Sequence, residues 1–168
     1  MKTILSGTAE KEALHYIKEA AKVAVQGIGS GHICQRAFCG TVIVKNGEII
    51  GQGYNAPPHE DERQRRCHRK AEIKDGFKSD RTCCIHAEQN AVMDALMKQG
   101  EPLTGSTLYF TRVDAEGNIL KSGQPYCTIC SKMSLDAGVS AWVLWHEDGV
   151  TCYPANEYND ISFASEGK

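Results

Sequence analysis

The chain has 168 residues, a formal net charge of −2, 41% apolar residues and 24% charged ones. That length suits one domain over residues 1-168 with one hydrophobic core, and no apolar run nears the roughly 20 residues of a membrane span. The slight acidity argues against a nucleic-acid partner, which calls for a basic surface. The opening Met1-Lys2-Thr3-Ile4 stretch lacks the apolar core of a signal peptide, so a cytoplasmic protein is expected.

In chain order, residues 9 to 26 pattern as a helix. Leu14, Ile17, Ala21 and Val25 share a stripe, Thr8 is a candidate cap, and the Gly-rich stretch from Gly27 to Gly31 ends it. Residues 40 to 45 and 48 to 54 flank Asn46-Gly47, the signal of a two-residue hairpin. A long polar insert follows, at about residues 55 to 82, and its second half is basic. That basic part reads as a solvated loop or as a phosphate site.

His86 to Lys98 is the next helix, closed by Gly100. Residues 106 to 111 read as a buried strand, 127 to 137 as a helix ending at Gly138, and 140 to 145 as the last strand. Two strands joined through a helix lie parallel by a right-handed crossover. The fold class is therefore α/β, with the last two strands parallel. The chain beyond Trp145 reads as a tail.

Eight cysteines is a high count for this length, and in a reducing compartment it points to metal ligation or catalysis rather than disulfides. Two pieces stand out: His86-Ala87-Glu88 and Cys127-Thr128-Ile129-Cys130, each opening a helix. Cysteines at i and i+3 project from one helix face, and the positive end of the helix favours thiolate. A structural zinc takes four protein ligands, whereas a catalytic zinc takes three and keeps a position for water. His86, Cys127 and Cys130 supply three, and Glu88 lies close enough to serve that water as acid and base without binding the metal. The competing reading is a closed zinc site completed by a further cysteine.

His-x-Glu followed by Pro-Cys-x-x-Cys is the zinc deaminase signature. On these residues the chain resembles the cytidine/deoxycytidylate deaminase superfamily, nearest the deoxycytidylate branch. The resemblance runs from about Cys34 to Trp145. It includes Cys34 to Val44, Gly53-Tyr54-Asn55, His86 to Ala91 and Tyr126 to Met133. It implies a three-layer α-β-α fold with a mixed five-stranded sheet, a Zn2+ cofactor, a homo-oligomer and a small-molecule nucleotide or nucleoside substrate, dCMP or cytidine in kind. Asn55 and Ala87 are the candidate substrate-binding residues, Asn55 through the resemblance.

Two departures bear on the substrate. Tyr126 separates Pro125 from Cys127, where the family joins Pro and Cys directly, and Arg112 to Gln124 makes a longer loop before them. Other rings therefore stay open: guanine, a pterin-like ring or a tRNA adenosine. So does a non-catalytic zinc- or nucleotide-binding protein, which Glu88 argues against. Some deoxycytidylate deaminases hold a second, structural zinc in the insert, for which Cys34, Cys67 and Cys83 are the candidates. Cys39 and Cys84 can instead be small buried apolar groups.

Overall fold

The computed structural model describes residues 1–35, 37–66 and 84–165. Its elements are β1 (Thr3–Ile4), α1 (Gly7–Ser30), β2 (Phe38–Lys45), β3 (Glu48–Tyr54), α2 (Ala87–Gln99), β4 (Thr107–Val113), β5 (Ile119–Leu120), α3 (Thr128–Asp136), β6 (Ala141–His146), β7 (Gly149–Pro154) and α4 (Ala155–Ala164). The sheet runs β1-β7-β6-β4-β2-β3, with β5 paired to β4. β4 and β6 are parallel and every other pairing is antiparallel.

Alternation along the strands sorts side chains to the two faces of the sheet. Val42, Val44, Tyr109 and Val143 pack with Tyr16, Ile17 and Ala20 of α1. Ile43, Leu108, Trp142 and Leu144 pack with Ala91, Val92 and Ala95 of α2, Cys130 of α3 and Tyr158 of α4. The result is the expected α-β-α layering, with α1, among the described helices, alone on one side. Among the described residues, no helix is long and apolar enough to cross a membrane.

Among the described residues the sheet has seven strands rather than the expected five. The expected parallel pair exists as β4 and β6, but it is not the end of the sheet. His146 pairs with Gly149 across a two-residue turn, so the chain doubles back as the antiparallel β7. β1 then pairs with β7. Val150 and Cys152 pack on one face of the sheet and Tyr153 on the other, the two-residue period of a strand, so a local signal for β7 was present. β1 and β5 are two residues each and exist only because a longer strand lies beside them.

α1 is longer than residues 9 to 26. Its N-cap is Ser6, not Thr8, and it continues through Gly27 to the left-handed Gly31. Gly27 lies within the helix, where the Tyr54 ring packs onto its bare backbone: a Cβ there would stand 2.7 Å from the ring. The Arg112 to Gln124 stretch is an ordered hairpin rather than an open loop. Asp114 Oδ1 accepts from the N–H groups of Glu116 and Asn118, closing the turn that leads into β5. Beyond it, His146 donates from Nδ1 to the Ser122 carbonyl at 2.9 Å, and the Ser122 N–H donates to the Trp145 carbonyl.

Candidate metal centre

The site is built where α2 and α3 begin. His86 is the N-cap of α2, and its backbone is held on both sides. Ile85 exchanges two backbone hydrogen bonds with Ala56, and the His86 N–H donates to Gln89 Oε1 at 3.0 Å. Asn90 Nδ2 donates to the Tyr54 carbonyl at 2.8 Å, which ties α2 to the end of β3. Cys127 is the N-cap of α3, its sulfur accepting from the Cys130 N–H. Ser134 Oγ donates to the Cys130 carbonyl, and Ser131 Oγ donates to Asn159 Oδ1 of α4.

These supports bring three donors together. His86 Nδ1 lies 3.0 Å from Cys130 Sγ and 3.3 Å from Cys127 Sγ, and the two sulfurs are 2.8 Å apart. Among the described residues, His86, Cys127 and Cys130 form the group of three that could hold a metal ion. The donor set is the imidazole-plus-thiolate chemistry that zinc takes. Zinc bonds of about 2.0–2.3 Å at tetrahedral angles separate donors by about 3.5–3.8 Å, so small side-chain movements seat the ion.

The thiols are tuned for this. Cys127 is held well below the usual thiol range, first by its hydrogen bond with Cys130, then by His86. Cys130 is pushed up, first by that same hydrogen bond, then by burial and Glu88. Binding a metal ion takes both as thiolates and so releases their protons.

Glu88 is buried at 7% exposure, next to this group but outside it. Its carboxyl is lifted to about 7, chiefly by burial and then by Cys127, with His86 opposing, and it hydrogen-bonds with Cys130. A carboxyl in that range can accept and return a proton near neutrality. Ala87 is fully buried in the first turn of α2.

Asn55 is also buried, and both ends of its amide are engaged: Oδ1 accepts from the Cys39 N–H at 3.0 Å, and Nδ2 donates to the Ala37 carbonyl at 2.8 Å. It therefore staples the end of β3 to the segment entering β2. The Cys34 N–H donates to the Asn55 carbonyl at 2.7 Å. Cys67 and Cys83, the other candidates for a second zinc, lie outside the described residues.

Four further side chains stand around the site. Arg112 and Cys39 stand opposite each other in the β2–β4 register. The Cys39 thiol is pushed up to about 12, by burial first and Glu88 next, with Arg112 opposing. Tyr126 is 64% exposed at the site's rim. Burial, then Glu88, Cys39 and Cys127 raise its phenol to about 12. Tyr158 is buried on α4, where the sequence suggested only a tail. Its signal was the apolar spacing from Tyr158 to Ile161.

A mixed sheet carrying a His and two cysteines at two helix starts, with a buried carboxylate beside them, is the architecture of a zinc-type deaminase domain. The family model for the cytidine and deoxycytidylate deaminase zinc-binding region matches residues 11–146, and the chain belongs to that family, with zinc as its cofactor. Among solved structures, the dCMP deaminase of cyanophage S-TIM5 in apo form is similar at 27% identity. It covers 79% of this chain and 80% of that one, with a TM-score of 0.49. The same phage enzyme in complex with dCMP and dUMP matches at 26% identity over 82% of each chain, with a TM-score of 0.49. Cytidine deaminase from Burkholderia pseudomallei shares the fold at 18% identity, over 86% of this chain and 94% of that one, with a TM-score of 0.52. No curated protein sequence matches the chain.

Proposed function

We propose that this protein hydrolytically deaminates a cytosine-type ring in a free nucleotide or nucleoside, dCMP or cytidine in kind, and releases ammonia. The observation that carries the reading is the placement of Glu88: a buried carboxyl in contact with the three-donor group yet not one of its donors. A structural metal site has no need of such a group.

In this reading His86, Cys127 and Cys130 hold the zinc. When bound, the zinc supplies the Lewis acid that makes a water nucleophilic near neutral pH. Glu88 takes the proton from the attacking water and returns protons to the ring nitrogen and to the departing amine. Burial of the site keeps bulk water from competing for these transfers. Ala87, buried at the first helical position, leaves its backbone as the contact it offers a ring. Asn55 orders the wall beside it.

The test is ammonia release from a panel of dCMP, deoxycytidine, cytidine, guanine, a pterin and a tRNA adenosine stem-loop. Release from the cytosine compounds is expected. Release from guanine, the pterin or the RNA alone overturns the ring assignment. Glu88→Ala is expected to retain zinc and abolish turnover, and retained turnover refutes its role.

A further inference from the structure

Tyr158 is held more rigidly than its place near the chain's end would suggest. Its ring stacks on Trp142, with centroids 4.0 Å apart and planes 19° from parallel. It also meets Tyr153 edge-on at 5.8 Å and 90°. The residue is 4% exposed and shares a buried cluster with Cys130, against which Cys127 packs. The turn of α3 that carries both cysteines is bound to the same helix: Ser131 donates to Asn159 and shares a 2.9 Å hydrogen bond with Ser162. Tyr158 and the metal-binding turn are thus packed and hydrogen-bonded to the same helix.

Its hydroxyl has no hydrogen-bond partner among the described residues, and it is not one of the fully enclosed orphan atoms, which are Thr41 Oγ1, Ser106 Oγ and Trp142 Nε1. It thus opens onto accessible space while the rest of the side chain is packed. Tyrosine hydroxyls buried to this degree ordinarily find a partner. The phenol is held well above its ordinary range, by burial first and then by Glu88, Cys130, Cys127 and Tyr126. All four belong to the site or its rim, and Tyr158 packs in the same cluster as Cys130, so the residue lies on the site's side of the sheet.

We infer that Tyr158 is a substrate-contacting residue, its hydroxyl donating a hydrogen bond to a carbonyl or ring nitrogen of the heteroaromatic ring that Glu88 serves. The inference rests on the deaminase reading above. It assigns α4, outside the family-matched residues 11–146, a part in recognising the ring.

The experiment uses the full-length zinc-loaded protein and Tyr158→Phe, which removes the hydroxyl and keeps the ring stack. Zinc content and melting curve are expected to stay as in the wild type. kcat/KM on the panel compound that the wild type deaminates is expected to fall about tenfold, the size of one lost hydrogen bond. Equilibrium binding of the same compound is then measured in the Glu88→Gln background, with and without Tyr158→Phe. About tenfold weaker binding supports the contact. Unchanged kcat/KM and unchanged binding overturn it, as does a loss that comes with zinc loss, since that marks a structural role. A wild type that releases ammonia from nothing in the panel sinks the deaminase reading itself, an outcome distinct from either.

Discussion

Gly53 of β3 faces the first turns of α2 so closely that a Cβ on it would stand 2.6 Å from the backbone nitrogen of Ala91. Two residues earlier, Gly51 meets Ala95 at 2.5 Å in the same way. The small-residue seam lets α2 lie against β3, and that depth places His86 and Glu88 over the sheet. Gly53→Ala is expected to lift α2, costing about 1–3 kcal/mol as overpacking, with a lower melting temperature and weaker zinc retention. Gly29→Ala is the control. A Cβ there meets nothing within 4 Å, so it is expected to raise stability by about 0.5–1 kcal/mol, as Gly-to-Ala in a helix does.

Cys127 belongs to the group of three that could hold a metal ion and is also the cap of α3. Cys127→Ala is expected to lose zinc outright and the stability that zinc confers, about 4 kcal/mol when free zinc stands a thousandfold above its Kd. At this chain length that corresponds to a fall of about 10 °C in Tm. Metal analysis and thermal melts check it; full zinc content in the variant contradicts the assignment.

Asn55 was expected to contact substrate, and the structure also has it closing a backbone gap. Asn55→Ala is therefore expected to destabilise the fold by about 1–3 kcal/mol, because the Cys39 N–H is left without its acceptor. Denaturant melts of the zinc-loaded protein measure this. A change in KM with no change in melting would assign Asn55 to the substrate alone.

The described part of the insert is anchored by a charge pair with a pH signature. Arg65 is buried and donates from Nε and Nη2 to the two oxygens of Glu62 at 2.6 Å, while Nη2 also reaches the His32 carbonyl and Nη1 the Ile33 carbonyl. The Arg65 hydrogen bonds hold the Glu62 carboxyl down to about 2, with His32 assisting. A carboxyl whose folded pKa is depressed contributes stability above its unfolded pKa and loses it as pH falls through the folded one. The pair's contribution is thus complete at pH 7 and fades between about 4.5 and 2. Glu62→Gln is expected to melt below the wild type at pH 7 and alongside it near pH 2. A gap that persists unchanged at low pH contradicts the mechanism.

What could be read from the residues was whatever depends on short-range pattern. The Asn46-Gly47 hairpin, α2 closed by Gly100, and the crossover from β4 through α3 to β6 all stand in the structure. The zinc residues were legible too, because their chemistry lies in spacings of two and three residues. The short strands β1 and β5 were not legible, since two residues carry no period and pair only through a neighbour supplied by the rest of the fold. The end of α1 was misplaced because Gly27, locally a helix stop, is instead a point of close contact with the Tyr54 ring from β3.

Sequence by itself determined the metal-binding donor set and the α/β class with its parallel pair, since donor identity, helix starts and strand alternation are local properties. Only the tertiary structure decided the surroundings of that chemistry. It brought His86 within 3.3 Å of two sulfurs more than 40 residues away, buried Glu88 deeply enough to lift its carboxyl, and set Tyr158 against the cysteine-bearing turn. Those facts depend on which helices share a face of the sheet and how closely they approach it, a matter of packing between distant segments that no local spacing encodes.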